Sequence, residues 1–111
     1  MKPVSWCGDS RDRIREFPES ARRVAGHQLN QVQHGREPKD WKPMPSVGAG
    51  VHEIRVHAEG EHRVMYVAKF EEAVYVLCAF EKKTRKTPQH VVERASTRYR
   101  AVLEQRKKVR R

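Results

Sequence analysis

Arg55, His57, Arg63 and the run Lys82-Lys83-Thr84-Arg85-Lys86-Thr87 have the types and spacing to act on a phosphodiester. Glu53, Arg55 and His57 alternate with Ile54 and Val56, so a strand that buries the two aliphatic residues carries the three polar ones on its other face. Arg63 opens the next alternating segment after a short turn, and the basic run follows a third, wholly apolar segment. In an antiparallel meander the end of the first strand, the start of the second and the end of the third share one end of the sheet. His57, Arg63 and Lys82–Lys86 are expected to meet there, with Arg55 one step further in. Arg grips phosphate oxygens bidentately, and Lys adds a compact charge. An RNA strand breaks when its 2′-hydroxyl attacks the adjacent phosphate. That reaction requires a proton acceptor, a proton donor for the 5′-oxygen and cations for the charge that builds on phosphorus. Crowded lysines depress one another's pKa, so one of them can serve as base, and the scheme needs no metal or cofactor. On this reading Arg55, His57, Arg63 and Lys82–Lys86 form a basic cluster at the end of the sheet.

Taken singly, each residue has a plainer reading. A strand Arg is a solvated edge charge, the Lys82–Lys86 run a solvated loop, and His57, His62 and His90 surface residues. Glu53 with Arg55 reads as an exposed ion pair of little worth. Aromatic content of 7% is thin for a base-stacking platform. The sequence has no zinc-ligand spacing, no phosphate-cradling glycine loop and no serine nucleophile motif.

The elements that position these residues follow from periodicity and punctuation. Val4–Cys7 reads as a first strand ended by Gly8. Asp9 or Ser10 can cap a short helix whose apolar face is Ile14 and Phe17. Pro18 suits the first turn of a second helix, with Ala21, Val24, Ala25, Gln28, Leu29 and Val32 on one stripe and Gly35 as terminator. Residues 36–50 hold three prolines and two glycines and read as loop. Strands are expected at Val51–His57, Arg63–Ala68 and Val74–Phe80, the first two joined by a tight turn at Glu59-Gly60. Val74–Phe80 is apolar on both faces, so it is expected to be the central, most buried strand. Thr87 as cap and Pro88 as first residue open a last helix with the stripe Val91, Val92, Ala95, Tyr99, Val102 and Leu103. The expected fold is α+β, a small single domain of order β-α-α-β-β-β-α, with helices packed on an antiparallel sheet. Where the first strand pairs is left open.

Length and charge bound the function. A chain of 111 residues is one domain, too small for an enzyme with a separate cofactor domain. Its longest uncharged apolar stretch, Ala73–Phe80, falls far short of the ~20 residues of a membrane span. The start of the chain has no apolar signal region, so a cytoplasmic location and no membrane partner are expected. Cys7 and Cys78 read as two free, buried thiols. The formal charge is +10. Residues 1–80 carry 12 Lys and Arg against 11 Asp and Glu, whereas residues 81–111 carry 12 against 3. Such asymmetry points to a polyanionic partner. Part of the excess, Arg106–Arg111, is expected to be a frayed tail.

The same residues carry a family resemblance. The segments Val51-His52-Glu53-Ile54-Arg55-Val56, Arg63-Val64-Met65-Tyr66 and Val76-Leu77-Cys78-Ala79-Phe80-Glu81-Lys82-Lys83-Thr84-Arg85-Lys86-Thr87-Pro88 resemble the phage-derived, HigB-like branch of the RelE/ParE toxin superfamily. The similarity runs over roughly residues 2–105 and is densest from 51 to 95. The resemblance implies a toxin of a type II toxin–antitoxin system. Its activity would be ribosome-dependent mRNA cleavage in the A site of the 30S subunit, and its partner a helix-turn-helix, HigA-like antitoxin. Carried over by position, Arg55 and Arg63 match the basic strand residues assigned to phosphate binding and transition-state stabilisation. Lys82 and Lys83 match the basic residues after the central strand, and Lys86 and Thr87 the end of the motif. The resemblance thus implies Arg55, Arg63, Lys82 and Lys83 as catalytic residues and Lys86, Arg85, Thr87, His57 and His90 as RNA contacts. Several relatives place a catalytic Tyr or His near the C-terminus. Here Tyr99 falls in the apolar stripe and reads as core, so the general base is unassigned. Two other functions fit the same fold. One is a ParE-like non-enzymatic toxin that binds a protein such as DNA gyrase. The other is an inactive nucleic-acid-binding protein of phage origin.

Overall fold

The computed structural model describes residues 1–109. The elements are β1 (Val4–Trp6), α1 (Ser10–Arg15), α2 (Glu19–Gln33), β2 (Trp41–Pro43), β3 (Val51–His57), β4 (Glu61–Val67), β5 (Val74–Glu81) and α3 (Gln89–Val109). One five-stranded sheet has the order β1-β5-β4-β3-β2. The expected α+β domain and its element order stand, with corrections at the sheet's two edges. β1 lies parallel to β5, pairing Val4 with Val74 and Trp6 with Val76, so the sheet is mixed rather than antiparallel. β2 forms inside the segment read as loop, pairing Trp41 with Ile54 and Pro43 with His52. A proline is tolerated there because β2 is an edge strand and lacks a neighbour on one side. With both edges counted, β4 is the middle strand and β5 its interior neighbour, which corrects the expectation for Val74–Phe80.

The sheet is buried on both faces. On one face, α1 and α2 bring Ile14, Phe17, Ala21, Ala25, Leu29 and Val32 against Ile54, Val56, Val64, Tyr66, Val74, Val76 and Ala79. On the other, α3 brings Val91, Ala95, Tyr99 and Val102 against Val51, Met65, Val67, Leu77 and Cys78, and Met44 and Val47 close that core. The Glu59-Gly60 turn forms as expected, with φ of 48° and 101°. Glu59 is tolerated in this conformation while its carboxylate accepts from the Ser20 backbone N–H at 3.2 Å, serving the open N-terminus of α2.

Helix starts differ from expectation by a residue. Pro18 sits at the N-cap position of α2 rather than inside it. α3 opens at Gln89, with the Pro88 carbonyl accepting from Val91 and Val92. Asp9 occupies the N-cap position of α1, but its carboxylate turns to Arg13 at 3.0 Å and Arg98 at 2.7 Å. Arg98 also donates to the Leu77 carbonyl at 2.9 Å, so it ties α3 to β5 and to the start of α1. The tail expected to fray is helical to Val109, and residues 110–111 lie outside the described ones. Arg106 stacks 3.8 Å from the centre of the Phe70 ring and bonds Glu72 at 2.6 Å, which holds that carboxyl down at about 2. Cys78 is buried as expected, its thiol pushed up to about 12 by desolvation, whereas Cys7 is only half-buried. No helix among the described residues is long and apolar enough to cross a membrane.

Tyr99 is core, as the stripe predicts, and its hydroxyl donates to the Ala49 carbonyl at 2.7 Å. A Cβ on Gly48 would meet the Tyr99 ring at 2.3 Å, so the loop can lie on the ring only as glycine. Gly48→Ala is expected to destabilise the protein by about 1–3 kcal/mol through forced repacking. Urea unfolding would measure it; an unchanged midpoint would contradict the packing described.

Candidate active site at the end of the sheet

The strand ends meet as the meander requires. His57 pairs with Glu61 across the β3–β4 turn, and His62 pairs with Glu81 at the end of β5. The Lys82 N–H donates to the Glu61 carbonyl at 2.7 Å, bringing the basic run to the same end. Arg55 and Arg63 are direct register partners and therefore share a face, the one toward α3. Phe80 is the register partner of Arg63 on the other side.

Like charges directly opposite one another destabilise a sheet, and carboxylates offset them here. Arg55 lies 3.6 Å from Asp40, which sits just before β2. Arg63 lies 3.1 Å from Glu61 and 3.8 Å from Glu53, and it donates to the His62 carbonyl at 3.0 Å. Glu53 lies 3.8 Å from Lys42. Glu53 is fully buried and Arg63 is 6% exposed. Both Glu53 oxygens and the Arg63 Nε lack a hydrogen bond. The expected exposed pair of Glu53 with Arg55 is thus replaced by buried Glu53 and Arg63 together with the half-exposed Lys42.

His57 joins two of these carboxylates. Its Nε2 is 2.6 Å from Asp40 and its Nδ1 is 2.8 Å from Glu61. A neutral imidazole has one N–H, so two ionised carboxylates facing both nitrogens call for the imidazolium. The hydrogen bond to Asp40, then that to Glu61, raises the His57 pKa. The bond from His57 is the main cause that lowers Glu61. Asp40 and Glu61 join the candidate site without a signal in the sequence: Glu61 directly follows the Glu59-Gly60 turn, and Asp40 lies in the Pro- and Gly-rich segment 36–50.

The remaining candidates lie further out. Lys82 is half-buried, and Lys83, Arg85 and Lys86 are exposed. The Lys83 ammonium faces Glu81 at 3.6 Å. Thr84 donates to the Lys86 carbonyl at 2.6 Å and shapes the loop, while Thr87 is half-buried beside it. His90 is exposed on the first turn of α3, where it lines a separate cleft with His62. Residues 55, 57, 63 and 82 are brought to one end of the sheet, and His90 stands apart.

The charge arrangement sets a pH dependence. His57 is raised from an ordinary 6.5, so its stabilisation is complete below 6.5 and is lost as pH rises through the folded value. Glu61 is lowered from 4.5, so its share is complete above 4.5 and is lost as pH falls. The stability difference between wild type and His57→Gln is expected to be greatest between 4.5 and 6.5 and to shrink at higher pH. Thermal unfolding across pH measures it; a difference that grows with pH would contradict the arrangement.

No curated protein matches the chain. One family model does, and it aligns with residues 12–100, a span that takes in every sheet-end residue described above. The chain belongs to the family of phage derived Gp49-like proteins (DUF891).

Proposed function

We propose that this protein is a ribosome-dependent mRNA endonuclease, the toxin of a type II toxin–antitoxin pair of the HigB-like branch, acting in the cytoplasm. The observation that carries the reading is the pairing of Arg55 with Arg63 on one face, beside the Asp40–His57–Glu61 chain. The guanidinium groups would hold the scissile phosphate. The Arg55 side chain is 36% exposed and offers the open contact, while buried Arg63 would add its charge from behind and hold Glu61 in place. The His57 imidazolium would protonate the departing 5′-oxygen, and Glu61 would take the 2′-hydroxyl proton. Lys82, Lys83, Arg85 and Lys86 would bind flanking phosphates in the 30S A site, with salt-dependent strength. A helix-turn-helix antitoxin with an acidic segment fits the same loop as inhibitor.

A second reading keeps a specific support. Asp40, Glu53, Glu61 and Glu81 offset most of the sheet-end cations, which suits a polar protein partner such as gyrase as well as RNA.

Expression in growing cells with mapping of mRNA ends separates the two. Arg55→Ala and His57→Gln are expected to lower codon-phased cleavage by at least about 100-fold while the circular dichroism spectrum is kept. Arg63→Ala strands the buried Glu53 charge and costs about 3–5 kcal/mol, so Arg63→Lys is the informative variant there, expected to fold and cut poorly. Growth arrest with intact mRNA would overturn the endonuclease reading in favour of a protein target. No arrest at good expression would overturn both.

A further inference from the structure

An imidazolium has two N–H donors, and both of those on His57 are taken. Nε2 lies 2.6 Å from Asp40 and Nδ1 lies 2.8 Å from Glu61. One carboxylate must therefore leave before His57 can meet a substrate oxygen. The two are held differently. Glu61 also meets the buried Arg63 at 3.1 Å, so two cations keep it in place. The second partner of Asp40 is Arg55 at 3.6 Å, which is beyond hydrogen-bonding distance. Asp40 is the carboxylate that can go.

Only its side chain has to move. The Asp40 carbonyl accepts from the Arg55 backbone N–H at 2.9 Å, and the Lys39 N–H donates to Gln28 Oε1 at 2.7 Å. The backbone is thereby pinned to β3 and to α2. The Asp40 side chain is half-exposed, so it can swing into water between staggered rotamers and leave the strand as it is. The place it vacates lies between exposed His57 and half-exposed Arg55, both open to solvent.

We propose that Asp40 is an internal stand-in for the substrate phosphate: its carboxylate fills the phosphate place between Arg55 and His57, closes the site in the free protein, and is displaced by a phosphodiester of the RNA strand. The exchange is matched in charge. A phosphodiester carries one negative charge, as the Asp40 carboxylate does, so the sheet end keeps its balance. It is matched in shape as well, since two free oxygens can accept from the Arg55 fork and from His57 Nε2–H. The closed contact lowers the apparent affinity for any incoming anion by the fraction of molecules that are open. A lone phosphate ion has nothing to offset that loss. An RNA strand has flanking phosphates for Lys82, Arg85 and Lys86, so the contact favours a chain over a small anion. The choice of a phosphodiester rests on the RNA-cleaving reading, but its test does not use cleavage.

The test is binding of a 2′-O-methyl oligoribonucleotide, whose capped hydroxyl cannot attack, to the full chain at one fixed salt concentration. Wild type, Asp40→Asn and Glu71→Gln are compared by fluorescence anisotropy. Glu71 is exposed in the β4–β5 connection at the far end of the sheet, so Glu71→Gln makes the same change of net charge away from the site. Asp40→Asn is expected to bind about tenfold tighter than Glu71→Gln. In wild type labelled with ¹⁵N, the oligonucleotide is expected to move the His57 Nε2 resonance, because Nε2 exchanges Asp40 for phosphate. Should Asp40→Asn fail to fold, that resonance still decides. The proposal is overturned if Asp40→Asn binds no tighter than Glu71→Gln, or if the oligonucleotide leaves His57 Nε2 unmoved. An acidic peptide that moves Nε2 where the oligonucleotide does not would overturn it too, and would make the place a contact for a protein carboxylate. Tighter binding by Asp40→Asn in a chain that cuts no mRNA would remove the endonuclease reading and leave this one standing. Cleavage of mRNA by a chain whose Asp40→Asn variant binds no tighter would do the reverse.

Discussion

Glu53 is fully buried in the sheet and, among the described residues, meets two cations, Lys42 and Arg63, each at 3.8 Å. Desolvating a carboxylate and a guanidinium costs several kcal/mol apiece, about as much as their attraction returns. An apolar pair of the same volume would stabilise the fold as well or better. Removing Arg63 alone would be far worse, because the buried Glu53 charge would keep only the half-exposed Lys42. The group therefore acts less as a source of stability than as a clamp. It holds the Arg63 guanidinium at one place on the face, and Arg63 in turn fixes Glu61 and, through it, His57.

That clamp connects the fold to the proposed chemistry. β2 supplies Lys42, and the residue just before it, Asp40, meets both Arg55 and His57. The edge strand is thus part of the candidate site, although it is only three residues long. The same logic divides the basic residues of the last third of the chain. Arg98 and Arg106 are consumed by Asp9 and by Glu72 with Phe70, and they tie α3 to the body. Among the described residues Lys82, Arg85, Lys86 and Arg94 form no ion pair, and on the proposed function they would meet the polyanion.

Much of this was legible in the sequence. Strict alternation placed β3 and β4, the apolar run placed β5, and the meander geometry brought residues 57, 63 and 82 together. The Tyr99 stripe assigned that ring to the core. What was illegible depended on distant partners. Pro43 and its neighbours carry loop chemistry, and only the free edge of β3 makes them a strand. Glu53 alternates with Ile54 and so read as solvent-facing, yet α3 and the Met44–Val47 loop cover that face as well. His62 read as a surface histidine because nothing local reveals that Phe17 covers it. Periodicity reports which residues share a face, not what is packed above it.

The proposal that two arginines and a histidine act on one ribonucleotide linkage makes a definite statement about products. Attack by the 2′-hydroxyl leaves a 2′,3′-cyclic phosphate on the upstream fragment and a 5′-hydroxyl on the downstream one. End-group analysis of mRNA fragments from cells expressing the protein reads this directly. Cyclic phosphate and 5′-hydroxyl ends, absent with Arg55→Ala, are the expected result. Fragments with 5′-phosphate ends, or full-length mRNA in arrested cells, would contradict it.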